Sequence, residues 1–462
     1  MKFILLVIGI INTIRAAGNI DFKFTELDST PVDLVWCGNS KEVVLVLTET
    51  NSLYRSEDKG FTWKKLNDVF IKTGTKELDE NENEIGQVSR ILESPVDKTL
   101  VIFLGTHGIN WIGKDCGKRI EALNHGRRIQ EFVFHPTERD WGLASAFTLC
   151  EDFVDEPCKI YKELFVTRDL GNTWDLIGSY VVQFGWGIAG ENHIKAGVPK
   201  ERVLVSYEPR AKGDQKQMGW NYKVDFFYSD DFFKTKKVAV HKGNKYLLTD
   251  NYLFVAQVVD QEAQEVVLLV ANSTDVNYNF ESLEANRKKF TDHSYTFLDY
   301  SENSVFLNIN HFGEQSKYGH IYTSDIKGLK YSLSLRYNVR SSDGRSDFLK
   351  IHAMEGLFVA NAIDKEYMKE AEQEMEEEII QNSEMGAIEE KKTKKIDQYK
   401  NHIKSLITFN KGGSWYRLKA PSRDAEGKKY ECDKYCHLNL HALSGEFPPF
   451  YSVESATGII IG

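Results

Sequence analysis

Aspartate side chains recur along this chain in a setting that could support acid–base chemistry. Asp58 lies in the pattern Ser-x-Asp-x-Gly-x-Thr-Trp, and Asp169 lies in the same pattern with Thr at the first position. A glycosidase needs two carboxyl groups that face each other across a sugar ring. The alternative is that each aspartate accepts hydrogen bonds from nearby backbone N–H groups and closes a turn. We favour the turn, identify no catalytic pair, and predict that the chain is not an enzyme.

A second candidate for chemistry is a group of thiols and imidazoles, Cys432, Cys436, His437 and His441. These are the residue types that bind zinc. Residues 437–441 alternate between polar and apolar, however, and this alternation predicts a strand on which the two imidazoles lie roughly 13 Å apart. That separation is too large for one metal ion, and we therefore predict neither a metal nor another cofactor.

The first residues of the chain indicate a route through the secretory pathway. Residues 1–17 combine Lys2, a short apolar run and a small-residue end, which is the pattern of a signal peptide. The run is too short to span a bilayer. We therefore place the mature chain in the lumen of that pathway and expect membrane attachment only through a C-terminal region absent from this sequence.

The six cysteines are expected to form disulfides in such a compartment. The candidate pairs by proximity in sequence are Cys150 with Cys158 and Cys432 with Cys436. Cys37 and Cys116 are left open, because they can pair with each other or with partners outside this sequence. The oxidising setting also favours a Cys432–Cys436 disulfide over zinc-binding thiolates.

Composition and one short motif add two further expectations. The formal net charge of −10 argues against a nucleic-acid partner, which a basic surface would normally attract. Asn272 begins an Asn-Ser-Thr sequon at the start of a turn pattern. We therefore expect Asn272 near the surface and available for N-glycosylation.

The aspartate pattern repeats, and the repeat indicates the elements that carry it. Degenerate copies lie between the two full ones, and a further copy near the C-terminal end has Asn in the Asp place. In order, the residues at this place are Asp58, Asp115, Asp169, Asp231, Asp275, Asp325 and Asn410. They are about 50 residues apart, with a longer interval before Asn410, which suits one four-stranded blade per copy.

The segments between the copies are typical of strands joined by turns. Short apolar runs such as 43–47, 252–256 and 356–360 predict buried strands, and Ser94-Pro95, His135-Pro136 and Val198-Pro199 predict turns. Helical periodicity is nearly absent before residue 363. Residues 364–404 are Glu-rich and then Lys-rich, and we interpret them as a charged loop insertion, helical or partly disordered. A partner-binding helix is the alternative for this segment.

Three stretches resemble the sortilin and vacuolar protein sorting receptor family. They lie at residues 35–58, 321–335 and 407–462, in the order that the family has. A middle stretch around Phe134-His135-Pro136 and Trp141–Ser145 is most similar to the fungal carboxypeptidase Y sorting receptors. The resemblance implies an all-β fold, a β-propeller with Asp-box repeats, in which residues 21–462 supply about seven of the family's ten blades. The chain stops at Ile459–Ile461, which we interpret as the middle of a strand, and we expect a truncated, poorly soluble propeller.

The resemblance also implies a function. A receptor of this kind binds soluble vacuolar hydrolases of the carboxypeptidase Y type, or their propeptides, in the late Golgi and carries them to a prevacuolar endosome. Some sortilin-like members bind a peptide partly through an arginine on an inner blade, but residues 254–270 contain no arginine. We therefore name no ligand-binding residue. The alternative function is a secreted Asp-box glycosidase, sialidase-like or of another class.

Overall fold

The computed structural model describes most of the chain. The described residues are 24–74, 86–123, 128–148, 159–215, 223–285, 289–291, 294–312, 316–341, 343–369, 402–424, 426–431, 438–441, 443 and 450–461. The chain divides into two compact units, one ending at Asn244 and the other beginning at Lys245. The predicted signal peptide at residues 1–17 lies outside the described residues.

The first unit contains four sheets, each built from four consecutive antiparallel strands. Sheet 1 has β1 (Pro31–Cys37), β2 (Val43–Thr48), β3 (Leu53–Ser56) and β4 (Lys64–Lys65). Sheet 2 has β5 (Val88–Glu93), β6 (Val101–Gly105), β7 (Asn110–Lys114) and β8 (Arg119–Ala122). Sheet 3 has β9 (Ile129–Phe134), β10 (Gly142–Phe147), β11 (Lys162–Thr167) and β12 (Asp175–Ser179). Sheet 4 has β13 (Val181–Trp186), β14 (Val203–Tyr207), β15 (Asp225–Ser229) and β16 (Lys237–Val240).

The second unit repeats this arrangement three times. Sheet 5 has β17 (Gly243–Leu248), β18 (Tyr252–Asp260), β19 (Glu265–Asn272) and β20 (Glu281–Ser282), and its first strand starts just before the unit boundary. Sheet 6 has β21 (Tyr295–Asp299), β22 (Phe306–Ile309), β23 (Tyr318–Ser324) and β24 (Tyr331–Val339). Sheet 7 has β25 (Phe348–Lys350), β26 (Phe358–Ile363), β27 (Ile403–Thr408) and β28 (Tyr416–Arg417). The predicted all-β, propeller-like fold is confirmed, and the described strands form seven sets of four.

The core lies between neighbouring sheets of the same unit, because the apolar runs predicted to be strands are buried on both faces. In β2 the side chains of Val44, Leu45, Val46 and Leu47 are all at most 3% exposed. Leu45 and Leu47 pack in one cluster with Phe103 and Trp111 of sheet 2. Central strands covered on both sides read as continuous apolar segments, and this is why the second strands were recognisable in the sequence.

Sheets 6 and 7 are joined by a buried polar network. A single bridge links Asn338 of β24 with Ala362 of β26. Asn308 donates to the side chain of Asn338 at 2.8 Å, and Asn338 donates to the carbonyl of Asn361 at 2.9 Å. Ser405 donates to the side-chain oxygen of Asn361 at 2.6 Å. Since these side chains are at most 2% exposed, each amide needs the partners that the other strands supply.

Helical elements are few among the described residues, and two of them were not anticipated. Helix α1 (Asn67–Gly74) places Phe70 in the core of sheets 1 and 2, where its ring lies 4.8 Å from Trp111 and 5.2 Å from Phe103. Asp68 in its first turn and Lys72 in its last complement the helix dipole. Helix α2 (Glu191–Lys195) lies between β13 and β14. Both helices are too short for their periodicity to stand out from loop sequence.

Three boundaries differ from the sequence-based expectations. The predicted insertion at 364–404 ends earlier, because Ile403 and Lys404 already belong to β27; of its remainder, residues 365–369 are helical and 370–401 lie outside the described residues. A strand was predicted for 437–441, but residues 438–441 are irregular. The N–H of Leu438 donates to the carbonyl of Leu418, and the N–H of Leu440 donates to the hydroxyl of Ser405. Ile461 forms an isolated bridge with Tyr451 rather than a strand.

Candidate functional site

All seven residues of the repeated pattern lie at the same place in their sheets. Each occurs in the hairpin that joins the third strand to the fourth, from Asp58 between β3 and β4 to Asn410 between β27 and β28. The turn is therefore a property of every sheet, whatever its other residues are. A shared position in seven sheets is what an architectural role requires.

The first turn shows how the pattern works. The hydroxyl of Ser56 donates to Asp58 Oδ1 at 2.7 Å and accepts from the backbone N–H of Gly60 at 2.8 Å. Thr62 donates to the carboxylate twice, from its N–H at 2.8 Å and from its hydroxyl at 2.6 Å. The hydrogen bonds from Thr62, supported by Ser56, lower the pKa of Asp58 to about 2. Both carboxylate oxygens therefore accept hydrogen bonds within their own turn, and the group stays ionised.

The turns at Asp169 and Asp231 repeat this geometry, but in the turn at Asp231 a phenylalanine replaces the glycine and a lysine replaces the tryptophan. Thr173 and Thr235 each donate from N–H and hydroxyl to the carboxylate of their turn. In the second of these turns Phe233 occupies the glycine place with φ at 66°. It is only 3% exposed and lies in the core of sheets 3 and 4, while the ammonium of Lys236, at the Trp place, lies 4.6 Å from its ring centroid.

The turn at Asn410 shows what one oxygen can do alone. Asn410 Oδ1 accepts from the hydroxyl of Thr408 at 3.0 Å and from the N–H of Ser414 at 2.9 Å. In the Asp58 turn the second carboxylate oxygen accepts the threonine hydroxyl. An amide nitrogen cannot accept such a bond. The Asn410 turn therefore keeps the contact with the backbone N–H of Ser414 but has no counterpart of the Thr62 hydroxyl bond to Asp58 Oδ2.

The remaining three turns are more divergent. Asp115 accepts from Arg119 Nε at 2.7 Å, and its neighbour Cys116 is bonded to Cys37 of β1 in a disulfide. Asp325 Oδ1 accepts from the N–H of Leu329 at 2.9 Å, and Asp275 begins its turn with an N–H bond to the carbonyl of Asn272. The question left open in the sequence is therefore answered, since Cys37 and Cys116 pair with each other.

The other residues singled out in the sequence fall into two groups. Asn272 is exposed at the end of β19, and its side-chain oxygen accepts from the hydroxyl of Thr274 at 2.8 Å. Cys150, Cys158, Cys432, Cys436 and His437 lie outside the described residues. Within the described ranges, no three His, Cys, Asp or Glu side chains are grouped to hold a metal ion, and no helix there is long and apolar enough to cross a membrane.

A pocket that the sequence did not reveal lies on the face of sheet 6, within the second unit. Its cavity volume is about 690 Å³, and it is lined by Glu284, Ala285, His311, Phe312, His320, Tyr322, Tyr331, Leu333, Arg336 and Tyr337. Strands β23 and β24 contribute most of these residues. The volume lies in the range of pockets that hold a ligand of drug or peptide size.

The pocket lies beside an irregular part of β24. The pairing of β23 with β24 shifts register on either side of Ile321, which leaves extra residues on β24. Tyr337 takes φ at 56°, and its N–H donates to His320 Nδ1 at 3.2 Å. Bulges of this kind re-aim side chains, and the two residues here are Arg336 and Tyr337.

Besides three tyrosine hydroxyls, the polar side-chain groups that line the pocket are two imidazoles, one guanidinium and one carboxylate. The ring centroids of His311 and His320 are 5.5 Å apart, and His311 Nε2 is hydrogen-bonded to the hydroxyl of Tyr322 at 3.0 Å. Burial of His320, with the nearby His311 and Arg336, lowers its pKa to about 4. His320 is therefore neutral at neutral pH, and Arg336 carries the permanent positive charge.

Repeated four-stranded antiparallel sheets, each closed by an Asp-box turn, define a propeller-like protein of the Asp-box class. The family model Sortilin-Vps10, described as "Sortilin, neurotensin receptor 3", matches residues 51–462. The chain belongs to this family, as its sequence predicted.

Curated relatives agree with this assignment. Over 438 residues the chain is 25% identical to the vacuolar protein sorting/targeting protein 10 of Pyrenophora tritici-repentis, covering 91% of this chain and 25% of the relative. Over 458 residues it is 22% identical to the protein of that name in Mycosarcoma maydis, covering 96% of this chain and 27% of the relative. The chain thus spans about a quarter of the length of these relatives.

Solved structures give a weaker likeness. An uncharacterized protein of Listeria monocytogenes aligns with a TM-score of 0.40 at 11% identity, covering 72% of this chain and 91% of that one. An oligogalacturonate lyase in complex with manganese also aligns with a TM-score of 0.40, at 8% identity, covering 70% and 82%. At these scores the likeness carries no functional weight.

Proposed function

We propose that this chain is the luminal, cargo-binding part of a sorting receptor. The observation that supports the proposal is the Sortilin-Vps10 match across residues 51–462, on a chain whose sheets carry the Asp-box turn. The cargo would be soluble vacuolar hydrolases of the carboxypeptidase Y type, or their propeptides. The route would run from the late Golgi to a prevacuolar endosome, with the receptor held in the membrane.

Binding rather than catalysis suits the geometry of the repeated carboxylates. A glycosidase would need two of them free to face a sugar. Asp58, Asp169 and Asp231 instead accept hydrogen bonds from their own turns, and those bonds contribute to the lowered pKa of each carboxyl group. We therefore propose that the chain has no enzymatic activity, and that incubation with model glycosides yields no hydrolysis.

Loss of the gene in the source organism tests the sorting function. We expect soluble vacuolar hydrolase activity to appear in the growth medium, because unsorted cargo follows the default secretory route. A constitutively secreted protein measured in the same medium serves as the control and should not change. Full retention of the hydrolases in the disrupted strain would contradict the proposal.

Direct binding gives a second measurement. The secreted chain, immobilised on a sensor surface, should bind a hydrolase precursor and should bind the mature hydrolase less tightly if the propeptide is recognised. Equal binding of both forms would indicate that the chain recognises the mature enzyme rather than the propeptide. Saturable binding of neither form would contradict the cargo assignment.

A further inference from the structure

The outer edge of sheet 4 carries a strongly basic segment. Residues 234–242 contain no aspartate or glutamate, one histidine and four lysines, which are Lys234, Lys236, Lys237 and Lys242. The segment begins in the Asp231 turn and runs along β16, the last strand of the sheet. All four lysines are exposed. This concentration of positive charge contrasts with the formal net charge of −10 for the whole chain.

The carboxylates that directly precede this segment in the sequence are already engaged. Asp231 accepts hydrogen bonds from the N–H and the hydroxyl of Thr235 within its own turn. Asp230 Oδ1 accepts from the buried guanidinium of Arg202 at 2.6 Å, and its Oδ2 lies 3.3 Å from Lys237 Nζ. Lys237 is therefore the one lysine of the segment that these two carboxylates neutralise.

The other three lysines, Lys234, Lys236 and Lys242, form no ion pair with any residue that the structure describes. The loop of sheet 4 at 216–222, which lies outside the described residues, contains no acidic residue. Burial lowers the pKa of Lys236. An anion placed beside this ammonium would stabilise its charged form. The segment thus offers positive charge to a ligand.

The lysines lie on both sides of the edge strand. The ammonium of Lys236 is 4.6 Å from the ring centroid of Phe233 and 5.2 Å from that of Tyr207, and both rings belong to the core between sheets 3 and 4. The ammonium of Lys237 is 5.2 Å from the ring of Tyr228, its pairing partner on β15. Successive strand residues point to opposite faces. A flat lipid surface would reach one side, whereas a flexible chain can follow the edge and contact both.

The residue type favours sulfate or phosphate groups over carboxylates. Arginine presents a planar fork that matches a carboxylate, and residues 234–242 contain no arginine. Lysine is a compact point charge that binds phosphate oxygens without a fixed bidentate geometry. The distance along the chain from Lys236 to Lys242 is at most roughly 20 Å. Several ester groups of one polymer can therefore be contacted together.

We propose that residues 234–242, at the outer edge of sheet 4, bind an anionic polysaccharide through its sulfate or phosphate ester groups. Lys234, Lys236 and Lys242 would supply the main contacts, and Lys237 would add to them when its ion pair with Asp230 opens. The proposal rests on the proposed function only for the luminal location, in which glycoproteins carry polysaccharides. It assigns this edge no part in the recognition of cargo.

Immobilised polymers test the site and distinguish its possible ligands. The secreted chain is passed over dextran sulfate, a mannan that carries phosphate esters, neutral dextran and poly-L-glutamate. At an ionic strength of about 0.05 M, where surface charges are less screened, we expect saturable binding to at least one of the two anionic polysaccharides. Poly-L-glutamate should bind more weakly, neutral dextran should not bind, and added salt should weaken every interaction. Comparison of the two anionic polysaccharides identifies the preferred ester.

Matched variants separate this edge from general charge effects. Lys234→Gln/Lys236→Gln/Lys242→Gln should weaken polysaccharide binding by roughly tenfold, because three ion pairs are lost. Lys118→Gln/Lys195→Gln/Lys327→Gln removes the same charge from exposed positions in three other parts of the chain, and it should weaken binding by less than about threefold. Unchanged urea unfolding transitions in both variants would show that they are folded.

The inference would be overturned by the absence of saturable binding to both anionic polysaccharides, or by equal losses in the two triple variants. Binding of poly-L-glutamate that is as tight as that of the polysaccharides would also overturn it, since the edge would then select an acidic peptide. Hydrolase precursor binding is measured in parallel and should be the same in the parent chain and both variants. A parent chain that binds the polysaccharide but no precursor would contradict the sorting function and leave this site standing.

Discussion

The imidazole of His135 joins the turn of sheet 3 to the backbone of Lys200 in sheet 4. Its Nδ1 accepts from the N–H groups of Thr137 at 3.2 Å and Glu138 at 2.9 Å. Because both are donors, the proton lies on Nε2, which donates to the carbonyl of Lys200 at 2.9 Å. The ring is fully buried against Trp186, at 4.5 Å between centroids. The neutral imidazole is therefore a structural part of the first unit.

Stability of the first unit should depend on pH through His135. Burial lowers its pKa below the ordinary value of 6.5. The stabilisation is therefore complete above about pH 6.5 and is lost as the pH falls toward and through the folded-state pKa, because the unfolded chain binds a proton at His135 that the buried imidazole can bind only by giving up the two hydrogen bonds to Nδ1. We expect the free energy of unfolding by urea to fall between pH 7.5 and pH 5.

His135→Ser identifies the source of this pH dependence. The serine can accept turn N–H bonds, as Ser94 does in sheet 2 from Val96 and Asp97. The variant should lose roughly 2–4 kcal/mol at pH 7.5 and show a flatter pH profile. The control is His241→Ser, whose side chain is 77% exposed. An unchanged pH profile in His135→Ser would reject the assignment.

The disulfide between Cys37 and Cys116 should be a major source of stability for sheets 1 and 2. It closes a loop across a sequence separation of 79 residues, for which chain entropy predicts roughly 4 kcal/mol. Cys37→Ser/Cys116→Ser should lower the urea midpoint by a corresponding amount. Reducing agent should destabilise the parent chain by breaking this disulfide, which the variant lacks. Equal urea midpoints of the parent chain and the variant without reductant would contradict the prediction.

A side chain at Gly171 should be unfavourable, because it would require the end of the Leu123 side chain to move. Its φ of 85° disfavours any residue with a Cβ, and a Cβ there would lie 2.3 Å from Leu123 Cδ1. Gly197 is the matched control, since its φ is 89° but nothing lies within 4 Å of the added atom. We expect Gly197→Ala to cost about 1–2 kcal/mol and Gly171→Ala to cost more by roughly 1–3 kcal/mol, measured by urea unfolding.

Asn361→Leu should destabilise the second unit by roughly 2–4 kcal/mol. The leucine leaves the hydroxyl of Ser405 and the carboxylate of Asp347 without the amide that they contact at 2.6 and 2.9 Å. Unsatisfied buried groups cost about 1–3 kcal/mol each. Asn39→Leu, at an exposed position, is the control and should have little effect. Equal unfolding midpoints would contradict the role assigned to the network.

Asn272 should carry an N-linked glycan when the chain is secreted from eukaryotic cells. It is exposed, and the Thr274 hydroxyl already contacts its side-chain oxygen. Asn272→Gln should remove the mobility shift that peptide N-glycosidase F produces in the parent chain. A parent chain whose mobility does not respond to this enzyme would show that the site is unused.

Local sequence predicted the turns well because their determinants are local. Each defining contact of Ser56, Asp58 and Thr62 joins residues that are at most four positions apart in the sequence. The strands were equally visible, since burial on both faces makes them continuous apolar runs. The Cys37–Cys116 pair could not be chosen by sequence alone, because nothing local in a chain reveals which distant cysteine becomes its neighbour.

The role of Phe233 shows a second limit. Read locally, it is a defect in the repeat, because it replaces the glycine. In the folded unit it supplies the burial for which the pattern elsewhere uses tryptophan, and its neighbours include Tyr207 of β14, at 5.6 Å between ring centroids. Such compensation depends on contacts between strands that are far apart in sequence.

The pocket was missed for the same reason. His311 and His320 are nine residues apart in the sequence. Their rings come close only because β22 and β23 form a hairpin, in which His311 follows the end of β22 and His320 lies in β23. The chain beside the start of β24, at Glu284, follows β20 and so comes from another sheet. Residue types alone therefore gave no sign that these side chains share a cavity.

The link between Cys37 and Cys116 also sets an order of events during synthesis. On the luminal route proposed above, Cys37 enters the oxidising compartment first, and its bond to Cys116 cannot form until the turn after β7 has followed. The first sheet therefore cannot be locked before the second has been delivered. Production of the chain in a reducing cytosol would leave both sulfurs as thiols, and the two sheets would have to find each other through packing alone.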